Sequence, residues 1–365
     1  MKISTIIDAN EKRVAITPET ARKYIAFGLD VVLPTGIGKS AGFSDGEYVA
    51  SGAKILSDEI PDADIYLCVK PSFGNSKKSM PQNLALKKGA HLIGVLSPYK
   101  NTKIFQEMTA AGINLYALEL VPRITRAQTM DILSSQAGIV GYRAVLEAFS
   151  KYERVVPLMM TAAGTIRPAR VLIIGAGVAG LQAIATAKRM GATVSVFDVR
   201  AAAKEQVESL GATFVQVDSS ESGEGSGGYA KEMSDEYKQR QSEKLAESIA
   251  KADIVITTAQ IPGKTAPILI TKEMVALMKA GSVVVDIATE TGGNCELSKK
   301  DETINVDGVT IIGDSNLAAK VAYDSSQLFA RNILNFVALM IRNGEIDTSD
   351  EIVQATLIKN NGENT

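Results

Sequence analysis

The chain has 365 residues and a formal net charge of −2, with one histidine and two cysteines. Its length allows two domains, each with its own core, while interspersed acids and bases argue against a nucleic-acid-binding surface. Two cysteines are too few for a disulfide framework, no apolar run reaches the roughly 18 residues of a membrane span, and no signal peptide is recognisable. We therefore expect a soluble chain in a reducing compartment.

Strand-length apolar runs alternate with helical patterns over most of the sequence, which predicts parallel α/β sheets. In the first half, a helix is predicted at Pro18–Phe27, because Thr17 is a typical N-cap and proline suits the first helical position. Five strands are predicted there, at Lys2–Ile7, Leu29–Leu33, Ala63–Val69, His91–Leu96 and Ile113–Leu118.

Two long helices are predicted at residues 128–154 and 324–342. Both fall where the chain is expected to cross between two halves, and the second is expected to return to the first half. The predicted fold class is α/β: two Rossmann-like doubly wound parallel-sheet domains with a cleft between them, joined by long helices. The predicted domains are residues 1–133 with 322–365, and residues 134–321.

The second half contains a further series of strands. Before it, residues 155–170 are apolar; a protruding hairpin that packs on another subunit would account for exposed Met159 and Met160, and an ordinary core segment is the alternative. Residues 219–230 are rich in glycine and serine, which predicts a mobile loop, either a lid or partner-binding element or an insertion with no role. The predicted strands are Val171–Ile174, Thr193–Phe197, Thr213–Gln216, Ile254–Thr257, Ser282–Asp286 and Thr310–Ile312.

The strongest functional signal lies at residues 171–200, where an apolar strand leads into Gly175, Gly177 and Gly180. In dinucleotide-binding folds the first glycine permits a tight turn, the second lets a pyrophosphate approach, and the third lets the helix pack on the strand. The phosphates then bind at the helix N-terminus. Asp198, after the second strand, is placed to accept a hydrogen bond from a ribose 2′-OH, which favours NAD(H). Arg200 leaves NADP(H) as an alternative.

The segment from residue 122 to residue 136, PRITRAQTMDILSSQ, is unusually polar for its surroundings. Gln128, Asp131 and Ser134 or Ser135 are three or four residues apart, so a helix would place them on one face. That face can hydrogen-bond a carboxamide and ribose hydroxyls, with Arg123 reaching a phosphate or carboxylate. By spacing alone, a solvated helix start is favoured over a ligand-binding face.

His91 begins an apolar strand, where a lone histidine is most often structural. With Lys70 and Arg13 it is also a candidate for an anion site at strand carboxyl ends, where ligands bind in open α/β sheets. One histidine and two separated cysteines give no metal-ligand set, so no metal is expected. The sequence GIGKS at Gly36–Ser40 lacks the spacing of a phosphate loop.

Beyond these single signals, the sequence resembles the NAD(H)-binding domain I of the proton-translocating NAD(P) transhydrogenases. It is most similar to the split form, in which that domain is a separate alpha polypeptide. The N-terminus departs from the wider superfamily, because no Pro-Lys-Glu follows its first strand. The matching segments cover nearly the whole chain and include RVAITPE, LVPRITRAQTMDILSSQ, GYRAV, MMTAAGTIRPARVLIIGAGVAGLQAIATAKRMGA, GGYAKEM, GGNCELS and SQLFARNILNF.

The resemblance assigns roles to individual residues and reverses the interpretation of the polar segment. Residues beside the nicotinamide would be Arg123, Gln128, Asp131 and Ser134, with Asp131 organising Arg123. Tyr229 matches the tyrosine of a mobile loop that closes over the nucleotide. The residues expected to bind the cofactor are Gly175, Ala176, Gly177, Val178, Gly180, Asp198, Val199, Arg200, Gly228, Tyr229, Ala259 and Gln260.

The resemblance implies direct hydride transfer between NADH on this chain and NADP⁺ on a partner domain III. That transfer would be coupled to proton translocation by a membrane domain II. The expected assembly is a homodimer, cytoplasmic and peripheral at the inner face of the membrane through its partner subunits. Two alternatives remain: an alanine dehydrogenase, with Arg13, Lys70 and His91 at a pyruvate site, and a nucleotide-sensing subunit without turnover.

Overall fold

The computed structural model describes residues 1–6, 11–56, 61–71, 86–99, 102–216, 234–261, 263–342 and 344–358. The chain divides into two compact units. The first unit comprises Met1–Gln136 and Ala319–Thr365, and the second is the continuous stretch Ala137–Ala318. The chain therefore leaves the first unit once and returns to it.

Helices and strands alternate along both units. The helices are α1 (Pro18–Ala26), α2 (Asp45–Ala50), α3 (Thr102–Ala110), α4 (Ile132–Lys151), α5 (Val178–Arg189), α6 (Ala203–Ser209), α7 (Asp235–Lys251), α8 (Lys272–Ala276), α9 (Ala322–Met340) and α10 (Glu351–Thr356). The strands are β1 (Lys2–Thr5), β2 (Asp30–Pro34), β3 (Lys54–Leu56), β4 (Ile65–Leu67), β5 (His91–Gly94), β6 (Asn114–Ala117), β7 (Met159–Thr161), β8 (Gly164–Ile166), β9 (Arg170–Ile174), β10 (Thr193–Phe197), β11 (Thr213–Val215), β12 (Ile254–Thr257), β13 (Val283–Asp286), β14 (Thr303–Val306), β15 (Val309–Ile312), β16 (Ile341–Arg342) and β17 (Glu345–Ile346).

The first unit is built on a parallel six-stranded sheet in the order β3-β2-β1-β4-β5-β6. The order reverses between β1 and β4, as in doubly wound nucleotide-binding folds. The five strands predicted here are confirmed, with ends that differ by up to two residues. Thr17 caps α1 and Pro18 begins it, as predicted. The partly exposed strand β3 was not predicted, because KIL carries little apolar pattern.

The second unit contains a seven-stranded sheet in the order β11-β10-β9-β12-β13-β15-β14. All its pairings are parallel except that of the edge strand β14 with β15. Strands β12 and β13 are buried along their whole length, as expected for a sheet covered on both faces. The order reverses between β9 and β12. Two doubly wound α/β sheets, the predicted fold class, are therefore confirmed.

The long helix predicted at residues 128–154 is shorter in the structure. Residues Thr125–Met130 form a 3₁₀ helix, and α4 begins only at Ile132. The cause is local: the Asp131 carboxylate accepts hydrogen bonds from the backbone N–H and the hydroxyl of Ser134, at 2.9 and 2.6 Å. Such a side chain at a helix start satisfies donors that have no helical partner and fixes the first residue of the helix.

Residues 155–170 contain a hairpin rather than a core strand. Strands β7 and β8 pair antiparallel, and every residue in them is exposed. Apolar side chains remain in solvent: Met160 is 75% exposed and Leu158 55%. The predicted protruding hairpin is confirmed, while its contact with another subunit stays a prediction. The glycine-rich loop predicted at residues 219–230 lies outside the described residues.

Candidate functional site

The predicted phosphate-binding turn joins β9 to α5 in the second unit. Gly175 has a φ of +103°, in the left-handed region that favours glycine. A Cβ at Gly180 would overlap the carbonyl oxygen of Gly175, so only glycine allows this close packing. A Cβ at Gly177 would meet no atom within 4 Å. The three glycines therefore have the predicted geometry, and the N-terminus of α5, at Val178, is open to an approaching anion.

The predicted ribose acceptor, Asp198, lies directly after β10 and is hydrogen-bonded to the glycine turn. Its Oδ2 accepts from the N–H of Ala176 at 2.7 Å. Arg200 donates to the same carboxylate through its backbone N–H, Nε and Nη2, at 2.8, 2.9 and 2.7 Å. The Asp198 side chain is only 5% exposed, and the neighbouring Val199 packs on the apolar core. The structure thus hydrogen-bonds the residue that favours NAD(H), Asp198, to the residue that left NADP(H) as an alternative, Arg200.

Ala259 and Gln260 follow β12, beside the turn, and are held by residues that the sequence did not single out. The buried Asn294 donates Nδ2 to the Ala259 carbonyl at 2.9 Å and accepts from its N–H at 3.1 Å. Asp286, also buried, accepts from the N–H of Asn294 at 2.7 Å. Thr258 donates its hydroxyl to the Gly175 carbonyl at 3.1 Å. Three successive strand ends of this sheet are thereby connected around one edge.

The four residues predicted beside the nicotinamide lie in the first unit. Gln128 belongs to the 3₁₀ helix, and both it and Arg123 have exposed side chains. Asp131 and Ser134 are hydrogen-bonded to each other at the start of α4. The predicted single helical face shared by Gln128, Asp131 and Ser134 is wrong, because α4 starts only after Asp131 and the backbone before it follows a different helical period.

Contacts from the C-terminal part of the chain hold the 3₁₀ helix. Arg126 donates to Asp350, the N-cap residue of α10, through Nη1 and Nη2 at 2.7 and 3.1 Å. The Arg126 guanidinium lowers the pKa of Asp350. Two side chains of α9, Asn332 and Asn335, donate to the Thr129 carbonyl at 2.7 and 3.1 Å. No sequence pattern indicates these contacts, because the partners are more than 200 residues apart.

A cavity of about 220 Å³ lies at the carboxyl ends of β1, β2 and β4, and Arg13, Lys70 and Glu11 line it. Arg13 forms an ion pair with Glu11 at 2.8 Å. His91 is at the opposite, amino-terminal edge of the sheet, where it begins β5 and its Nδ1 lies 3.3 Å from the Tyr116 hydroxyl. Burial lowers the pKa of His91. The predicted grouping of His91 with Arg13 and Lys70 is therefore wrong. The position of His91 fits the alternative interpretation, that it is a structural residue.

The remaining predictions concern two residues of the glycine-rich loop, a metal site and a membrane span. Gly228 and Tyr229 lie outside the described residues. In the described ranges, no three His, Cys, Asp or Glu side chains are grouped so that they could ligate a metal ion. No helix within those ranges combines the length and apolarity required to cross a membrane.

Comparison with known proteins places the chain in a defined group. Family models match residues 4–140, described as the alanine dehydrogenase/PNT N-terminal domain, and 144–365, described as the C-terminal domain. The chain is 50% identical to a Rickettsia prowazekii protein named as the first portion of NAD(P) transhydrogenase subunit alpha, over 97% of this chain and 92% of that protein. Identity to the protein of the same name from Rhodospirillum rubrum is 45%, covering 96% and 94%.

Solved structures and more distant relatives agree with this placement. A transhydrogenase structure from Sinorhizobium meliloti superposes with a TM-score of 0.88 at 43% identity, covering 99% of each chain. The alanine dehydrogenase of Halomonas elongata is 28% identical over 93% of this chain and 86% of its own length. Similarity is thus markedly greater to transhydrogenase alpha chains than to this alanine dehydrogenase.

Proposed function

Because the chain belongs to the alanine dehydrogenase/PNT family, and within it to the NAD(P) transhydrogenase alpha chains, we propose that it is the NAD(H)-binding component of a proton-translocating transhydrogenase. Hydride passes directly between NADH on this chain and NADP⁺ on a partner, domain III. One observation supports the nucleotide site above all: the Gly175–Gly180 turn at the switch point of the second sheet, hydrogen-bonded to Asp198.

In this proposal the second unit binds the nucleotide. The N-terminus of α5 receives the pyrophosphate, and Asp198, with Val199 and Arg200 beside it, faces the adenosine ribose. Ala259 and Gln260 contact the cofactor from the end of β12. Gly228 and Tyr229 contribute a closing loop. The fit rests on the glycine turn, where Gly175, Gly177 and Gly180 have no side chain and a Cβ at Gly177 would meet no atom within 4 Å.

The first unit orients the nicotinamide. Arg123 and Gln128, whose side chains are exposed, hydrogen-bond its carboxamide and the adjoining ribose or phosphate. Asp131, through Ser134, fixes where α4 begins, and its bond to Arg123 stays a prediction. NADH supplies the hydride when bound. Transfer between two nicotinamides requires no acid or base, so the residues of the chain contribute orientation and the exclusion of water.

The proposed assembly contains two copies of this chain, domain III with NADP(H), and a membrane domain II that translocates protons. The partner subunits hold the chain at the inner, cytoplasmic face of the membrane. The exposed apolar hairpin of β7 and β8 supports a homodimer, because such side chains are typical of protein interfaces. No metal takes part in this scheme.

The alternative functions have weaker support. An alanine dehydrogenase would require an acid or base beside its anion site, and His91 lies at the other edge of the sheet from Arg13 and Lys70. A nucleotide-sensing subunit without turnover would bind NADH and transfer no hydride to any domain III. The same experiment separates all three functions.

The test mixes the chain with a known domain III and follows NADH-dependent reduction of an NADP⁺ analogue. We expect reduction only when both proteins are present. Gln128→Asn is expected to slow it roughly 10- to 100-fold, with little change in NADH affinity, because a misplaced nicotinamide loses its reactive geometry. Gln239→Asn, on α7, serves as a matched control and is expected to behave like wild type. NADH-dependent conversion of pyruvate and ammonia by the isolated chain would contradict the proposal.

A further inference from the structure

The side chain of Asn332, on α9, connects the two sides of the bend at Asp131. Its Nδ2 donates to the carbonyl of Thr129, at 2.7 Å, and its Oδ1 accepts from the hydroxyl of Ser135, at 2.6 Å. Thr129 belongs to the 3₁₀ helix and Ser135 to the first turn of α4. One half-buried amide therefore holds both elements at the point where the backbone changes its helical period.

Backbone contacts and core packing also hold the bend: the N–H of Asp131 donates to the Gln128 carbonyl at 3.2 Å, and Met130 and Ile132 are buried in the core. Asp131 has φ −72° and ψ 89°, outside helical geometry, and its carboxylate bonds only forward, to Ser134, among the hydrogen bonds that the structure gives it. The cap thus fixes the start of α4 but not the angle at which the preceding residues, Gln128 included, approach it. The Asn332 amide bonds backward to Thr129 and forward to Ser135, and so adds a side-chain connection between the 3₁₀ helix and α4.

Asn335 provides an internal comparison. It lies one turn further along α9 and donates to the same Thr129 carbonyl, at 3.1 Å. Its described hydrogen bonds reach only the 3₁₀ helix, whereas those of Asn332 reach the 3₁₀ helix and α4. Loss of Asn335 leaves the Thr129 carbonyl with a donor, while loss of Asn332 removes the connection across the bend.

We propose that Asn332 is a positioning residue for hydride transfer: it sets the orientation of Gln128 relative to α4 without touching the nucleotide. The proposal rests on the function assigned above. Its effect on rate follows from geometry, because a displacement of about 1 Å at a reacting centre slows transfer by up to roughly 100-fold. Affinity is affected less, since the α5 N-terminus and Asp198 lie in the other unit and bind the rest of the nucleotide.

The test measures single-turnover hydride transfer to domain III, NADH dissociation constants and thermal midpoints for four full-length chains. Relative to wild type, Asn332→Ala is expected to transfer about tenfold more slowly, with an NADH dissociation constant within about twofold. Asn335→Ala is expected to retain nearly the full rate. Ser135→Ala removes one half of the bridge and is expected to slow transfer by a smaller factor.

The outcomes separate the two proposals. If the wild-type chain transfers hydride and Asn332→Ala has the same rate, the positioning role alone is overturned. An equal loss of rate in Asn332→Ala and Asn335→Ala also overturns it, because that result would indicate a general structural contribution of α9. If Asn332→Ala does not fold, an unchanged rate in Ser135→Ala overturns the role. If the wild-type chain transfers no hydride, the proposed function and the positioning role both fail.

Discussion

In the proposed nucleotide site, we expect the carboxylate of Asp198 to discriminate between NAD(H) and NADP(H). The hydrogen bonds that it accepts include three from Arg200 and one from the N–H of Ala176, which use the lone-pair positions that a carboxylate offers. A ribose hydroxyl therefore gains this acceptor only by displacing part of the arginine. A 2′-phosphate would gain the guanidinium and meet a buried negative charge. We therefore expect the pair to favour NAD(H).

We expect Asp198→Asn to weaken NADH binding about tenfold, because a charge-assisted hydrogen bond contributes about 1.5–3 kcal/mol. NADPH binding is expected to stay constant or strengthen, since the substitution removes the repulsion of the 2′-phosphate and leaves the guanidinium available to it. Fluorescence titration of both nucleotides measures this, with Asp347→Asn in the first unit as a control. A parallel loss for NADH and NADPH would mean that Asp198 acts only by holding the turn.

At this scale, the residues predictable from sequence are those whose partners are close in the chain. The three glycines and Asp198 follow from one strand–turn–helix–strand pattern. Asn294 is 35 residues from Ala259, and Asn332 is 203 residues from Thr129, so no local pattern indicates these bonds. Tertiary packing brings these partners together, and a single sequence carries no record of that proximity.

At the scale of elements, α4 shows how one residue limits a prediction from periodicity. The apolar spacing extends from residue 128 to residue 154, but α4 begins only at Ile132, because the Asp131 side chain caps its first turn. Further along, α4 approaches α5 closely. A Cβ at Gly141 would overlap the carbonyl oxygen of Ala179, in the first turn of α5, whereas a Cβ at Gly138 would meet no atom within 4 Å.

This contrast predicts opposite effects for two identical substitutions in one helix. Gly141→Ala forces α4 away from a backbone atom and is expected to lower the stability of the second unit by about 1–3 kcal/mol. It is also expected to weaken NADH binding, because the displaced turn of α5 carries the proposed phosphate site. Gly138→Ala is expected to raise stability by up to about 1 kcal/mol through helix propensity. Urea unfolding followed by circular dichroism measures both; equal losses would contradict the close contact.

At the scale of the whole molecule, the two sheets share one order over five strands, β3-β2-β1-β4-β5 and β11-β10-β9-β12-β13. They differ in the antiparallel edge strand β14 of the second sheet and in the segments that follow β1 and β9. Each reverses its strand order at a switch point, between β1 and β4 or between β9 and β12. The glycine turn follows β9 alone, while the cavity beside β1 is lined by the Arg13–Glu11 ion pair. The alternation of elements made both α/β halves predictable, and the glycine motif predicts that the second half binds the nucleotide. The described edge strands β3 and β14 escaped prediction because they carry little apolar pattern.

The hairpin of β7 and β8 supplies the prediction that concerns assembly. Its Met160 is 75% exposed, and a dimer contact would bury it. A charge at that position then loses its hydration without gaining a partner, which costs several kcal/mol. We expect Met160→Asp to weaken the homodimer at least roughly 100-fold, as measured by sedimentation equilibrium.

The control, Met190→Asp, introduces the same charge at the C-cap of α5, where the methionine is 46% exposed. This variant is expected to leave the dimer intact. If wild-type protein is monomeric at micromolar concentration, or if both variants dissociate alike, the hairpin is not the dimer contact.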